Sequence, residues 1–90
     1  MTMTRNKQLP VKHPGHVFRE RVLNRKGMTI SEAAKKLRIY RQYLKNFTEG
    51  KAPITVSLAS NIALFTGISV EFWVRLQSTY DVYMNSRYHA

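Results

Sequence analysis

Ninety residues, 43% of them hydrophobic and 22% charged, suffice for one compact domain with a modest core and are too apolar for a chain disordered throughout. The absence of cysteine excludes disulfides, thiolate metal sites and cysteine nucleophiles, and no apolar run reaches the roughly 18 residues needed to span a bilayer. Fifteen Lys and Arg against five Asp and Glu leave a formal charge of +10, which draws polyanions; on charge alone, nucleic acid, an anionic membrane surface and an acidic protein all stay open.

Residues 1–12 show no periodicity and read as a flexible basic arm carrying Arg5, Lys7 and Lys12. They lack the hydrophobic stretch of a signal peptide, which, with the missing cysteine, points to a cytoplasmic chain. Order is expected from His13-Pro14-Gly15, because a proline suits the first turn of a helix, where its missing N–H has no partner to lose. Val17, Phe18, Val22 and Leu23 then form an apolar stripe at helical spacing, and Gly27 closes this first helix.

Thr29-Ile30-Ser31-Glu32 has the form of a capping box and opens a second, short helix. Its inner face is Ala33, Ala34 and Leu37, two of them small enough for another helix to cross closely. Arg38, Ile39 and Tyr40 make a tight connector with Ile39 turned inward. A third helix is expected from about Arg41 to Thr48, with Leu44 and Phe47 on the core side and Arg41, Gln42, Lys45 and Asn46 opposite. Gly50 and Pro53 stop it.

Thr55 caps a fourth helix bearing Leu58, Ala59, Ile62, Ala63 and Phe65, which Gly67 ends. Ser69 caps a fifth, with Glu71 well placed in the first turn. Phe72, Trp73 and Leu76 of this helix are assigned to the core. Tyr80, Tyr83 and Met84 exceed what a small bundle needs and are candidates for a dimer contact. No segment alternates with period two. The expected fold is all-α, a compact five-helix domain over residues 13–84, followed by a C-terminal tail, 85–90.

Chemistry concentrates between Thr29 and Gly50. Two short helices across a three-residue connector, the second with a polar and basic outer face, form a helix-turn-helix of the kind that enters a DNA major groove. Arginine pairs bidentately with guanine, and glutamine or asparagine with adenine, so Arg41, Gln42 and Asn46 are the candidate base readers. Lys35, Lys36, Arg38, Tyr40, Tyr43, Lys45 and Lys51 are the candidate backbone or mixed contacts. A two-fold dimer would set two such helices about 34 Å apart on a palindromic site.

Other chemistry is poorly represented. His13 and His16 sit three apart without a third ligand nearby, so a capping or surface role is expected and a metal is not. Five scattered acids offer no paired-carboxylate site, no serine has a nucleophile setting and no glycine-rich phosphate loop occurs. The expectation is a binding protein without cofactor or metal, and not an enzyme.

Three segments carry a resemblance: His13-Pro14-Gly15 before the first helix, Gly50-Lys51-Ala52-Pro53-Ile54-Thr55 after the third, and Glu71-Phe72-Trp73-Val74-Arg75-Leu76-Gln77 followed by Tyr80-Asp81. Through them, and over His13 to about Tyr83, the chain resembles the HigA-type antitoxins within the xenobiotic-response-element class of helix-turn-helix regulators. The resemblance implies a lambda-repressor-like fold, a homodimer that represses its own operon by binding a palindromic operator in double-stranded DNA, and neutralisation of a HigB-type ribonuclease toxin similar to RelE. It places Arg41, Gln42, Tyr43, Lys45 and Asn46 in the recognition helix.

The chain departs from that pattern at Arg38, where glycine is frequent and a left-handed backbone is expected, at Tyr40 in place of a small N-cap, at Ile30 in place of a polar residue, and at Glu49 in place of asparagine. These departures keep two alternatives in view. One is a stand-alone regulator without a toxin. The other is a toxin-binding or protein-interaction module that has lost DNA reading.

Overall fold

The computed structural model describes residues 11–89; most of the basic arm expected at 1–12 lies outside them. Five helical segments follow in chain order. α1 covers residues 14–26, and its axis is interrupted: an α-helix at Pro14–Phe18 passes into a π-helical turn at Arg19–Leu23 and returns to α at Asn24–Lys26. α2 is Ile30–Leu37, α3 is Arg41–Thr48, α4 is Val56–Thr66 and α5 is Val70–His89. No strand occurs among the described residues.

The boundaries follow from local chemistry. Thr29 closes a full capping box on α2: its Oγ1 accepts from the Glu32 N–H at 3.1 Å, and Glu32 Oε1 accepts from the Thr29 N–H at 2.9 Å. Arg38 ends α2 at φ 59° and ψ 45°, a left-handed conformation that strains any residue with a Cβ. Thr55 and Ser69 accept from the amides of Leu58 and Phe72, capping α4 and α5. Gly67 ends α4 in the left-handed region.

Two features of the helices depart from the sequence-based reading. The π turn had no signature in the residues; it returns Val22 and Leu23 to the core beside Phe18, all three buried. α5 runs to His89 where a tail was expected from residue 85, because neither glycine nor proline interrupts 68–89. At 1.5 Å per residue its 20 residues span about 30 Å, which accounts for much of the 46 Å long axis of a molecule only 22 × 21 Å across.

The core is one cluster. Phe18, Val22 and Leu23 of α1 meet Ala33, Ala34 and Leu37 of α2, Leu44 and Phe47 of α3, Leu58, Ala59 and Ile62 of α4, and Trp73 of α5. Trp73 is fully enclosed, in edge contact with Phe18 and Phe72. Phe72, assigned to the core from sequence with Trp73 and Leu76, is instead 40% exposed, and Leu76 is only partly buried. One turn of α5 can aim only one of two adjacent aromatic rings inward.

Candidate nucleic-acid interface

The frame behind α3 is set by α1. His13 caps α1 with its imidazole, Nδ1 accepting from the Gly15 N–H at 2.9 Å, and is itself buried. This is the capping role expected of it. The next turn brings Gly15 against the carboxyl end of α3: a Cβ there would stand 1.7 Å from the Phe47 carbonyl oxygen. Only glycine permits that approach. Gly50, at φ +79°, turns the chain beneath the two histidines. The His13 ring also packs edge-on against Tyr80 of α5, centroids 5.0 Å apart, and against Phe47. Burial, then the nearby His16, pull the His13 pKa below its ordinary 6.5, against smaller opposing effects of Asp81 and the Ala52 backbone.

α5 completes the frame. Gln77 Oε1 accepts from the Ile54 N–H at 2.7 Å, and Gln77 Nε2 donates to Asp81 at 2.9 Å, so the loop after α3 is tied to the last helix. Asn61 of α4 donates to the Leu37 carbonyl and holds the end of α2. Asn61 was not singled out from sequence, and Gln77 entered only as the end of a segment carrying the resemblance, without a role. A polar side chain that satisfies a backbone group across the fold leaves no local pattern to read.

Held this way, α3 buries Leu44, Phe47 and Thr48 and turns Arg41 and Gln42 to solvent, with Lys45 and Asn46 half-exposed beside them. The outer side chains are organised. Arg41 Nε donates to Ser31 Oγ of α2 at 2.9 Å. Gln42 Nε2 donates to Asn46 Oδ1 one turn on, at 3.0 Å. Glu49 receives Lys45 at 2.8 Å and Lys51 at 3.3 Å, and these two ammonium groups hold its carboxyl below the usual range.

The remaining sequence candidates are distributed around this face. Tyr40 precedes α3 without a capping hydrogen bond and is 86% exposed. Tyr43 is half-buried and packs against the core. Lys35 and Lys36 are exposed on α2, and Lys36 and Arg38 line a shallow groove with Asn61, Leu64 and Phe65 of α4. Of the dimer candidates, Tyr80 is engaged with His13 in its own chain, Tyr83 accepts a hydrogen bond from Arg87, and Met84 is half-buried. Ser31 was read only as part of the capping box, and its contact with Arg41 emerges from the fold.

Comparison with known proteins gives the same architecture. A helix-turn-helix family model matches residues 19–73. An addiction module antidote protein of the HigA family from Coxiella burnetii is 32% identical, covering 84% of this chain and 83% of that one, with a TM-score of 0.80. The antitoxin HigA of Pseudomonas aeruginosa, solved with the higBA promoter, shares the fold at a TM-score of 0.81 and 21% identity, over 83% of this chain and 82% of that one. Virulence-associated protein A' of Dichelobacter nodosus is 37% identical over 71 residues, 78% of this chain; the chain spans 61% of that relative's length.

Proposed function

The chain belongs to the helix-turn-helix family, in its xenobiotic-response-element type and with HigA-type antitoxins among its relatives, and from that premise we infer that it is an operator-binding antitoxin. It binds double-stranded DNA through α3, represses its own operon as a homodimer, and neutralises a HigB-type ribonuclease. It acts by binding and not by catalysis.

The observation that carries DNA reading is the outer face of α3. Arg41, Gln42 and Asn46 present the guanidinium and amide groups that match guanine and adenine edges, already held by hydrogen bonds on a helix fixed from behind. Lys45, Lys51, Lys35 and Lys36 supply the phosphate attraction, with the formal charge of +10 behind them. The P. aeruginosa relative was solved with its promoter DNA, which makes the upstream region of this chain's own gene the first target.

Two experiments in cells test the two halves. A reporter driven by the chain's own upstream DNA is repressed by the wild type and relieved by Arg41→Ala combined with Asn46→Ala; equal repression by both proteins excludes reading through α3. Expression of the product of the adjoining gene arrests growth, and co-expression of this chain restores it. If the two products neither co-purify nor suppress one another's effect, the stand-alone regulator replaces the antitoxin.

A further inference from the structure

The inference concerns the reading face and rests on the operator-binding function above. Among the side chains that begin α2, Thr29 and Glu32 close on each other in the capping box, and Ile30 packs against the core. Ser31 is the exposed residue left on that turn, and its Oγ receives Arg41 Nε across the connector, at 2.9 Å and ten residues away. Both side chains are exposed. Ala33, Ala34 and Leu37 of α2 share one core cluster with Leu44 and Phe47 of α3, so the two helices are joined by more than this contact.

A guanidinium carries five N–H donors in a rigid planar fork. With Nε engaged by Ser31, a side-on approach to a base through Nε and one Nη is closed, and the end-on approach through Nη1 and Nη2 is left. Those two nitrogens match the O6 and N7 acceptors of one guanine. An unrestrained arginine must also give up its rotamer freedom on binding, whereas this one is ordered beforehand.

We propose that Ser31 is a positioning residue that aims Arg41 end-on at a single guanine in each half-site, so that a specificity determinant of the third helix lies on the second.

The test uses the full chain and duplexes from its upstream DNA carrying each base in turn at every position of the protected site, titrated near physiological salt. The wild type prefers guanine over adenine at one position per half-site, and Arg41→Ala removes that preference. Ser31→Ala lowers the same ratio about two- to tenfold, the range of one hydrogen bond, without altering discrimination elsewhere or affinity for scrambled DNA. Ser31→Thr, which keeps the hydroxyl, restores it. A full guanine preference in Ser31→Ala, or an equal loss at every position and on scrambled DNA, overturns the proposal. Operator preference with no Arg41-dependent guanine overturns it while leaving operator binding in place; no preference in the wild type removes both.

Discussion

Two regions of the molecule are built to different standards. The seam joining α1, the loop after α3 and α5 is enclosed and closely fitted: Gly15 against Phe47, His13 against Tyr80, Gln77 on the Ile54 amide, Trp73 in the centre. The outer face of α3 is open and polar, with side chains held by exposed hydrogen bonds and ion pairs. The three segments that carry the family resemblance run along the seam, with Lys51 of the second pairing instead with Glu49 on the face. The residues that mark the family therefore set the frame, and the residues proposed to read DNA lie on the other side of the same eight-residue helix. Recognising the family thus leaves the operator undetermined.

If that division is correct, changes in the seam act on stability and changes on the face act on binding. The largest effect belongs to Trp73→Ala, which empties a fully enclosed indole site and lowers stability by about 3–5 kcal/mol in thermal or denaturant unfolding, whereas Phe72→Ala beside it stays below about 1 kcal/mol. Comparable losses for the two would show that α5 is seated on a different face.

Gly15→Ala comes next. The added methyl meets backbone and no flexible side chain, so α1 and α3 must part; a loss of about 3 kcal/mol is expected, accompanied by weaker DNA binding because α3 loses its support. An unchanged melting temperature contradicts the close approach.

A smaller effect follows from His13. Its folded pKa lies below 6.5, chiefly through burial and then through His16. The unfolded chain therefore takes up this proton first as pH falls below 6.5, so the imidazole's contribution is complete above that value and declines below it. His13→Asn keeps an oxygen acceptor for the Gly15 amide and cannot titrate. The stability of that variant changes less between pH 6.5 and pH 5 than that of the wild type. Parallel pH profiles would remove the histidine from the account.

The smallest change crosses to the face. Glu49→Gln frees Lys45 and Lys51 from their shared carboxylate and removes a charge that repels phosphate. Affinity for any duplex rises about two- to threefold, and salt dependence becomes slightly steeper, while unfolding barely shifts. A loss of affinity would mean that the carboxylate positions the lysines for DNA.

The same division explains what the residues disclosed in advance. α2 and α3 begin and end where they were expected, because a capping box, a connector and a turn glycine are local signals, and the apolar residues of both helices recur on one face. The left-handed Arg38 and the uncapped Tyr40 were legible through the resemblance, whose pattern has glycine at the first position and a small cap at the second. The contacts that assemble the seam and the face were not. Gly15 reads locally only as part of a helix start beside a proline, His13 as a capping or surface residue, and Ser31 as part of a capping box. Each acquires its second role only when a segment 10 or more residues away arrives beside it. In α5 both aromatic neighbours fit an apolar stripe, and only the tertiary frame decides that Trp73 enters and Phe72 does not.

The most direct test of the central claim is the ratio of affinities for the DNA upstream of the chain's own gene and for a scrambled duplex, measured near physiological salt with the wild type, Arg41→Ala and Asn46→Ala. The account predicts a preference of about a thousandfold or more, sharply reduced in both variants. Weak binding to both duplexes, equal in all three proteins and falling steeply with salt, would show the positive charge acting alone and would contradict reading by α3.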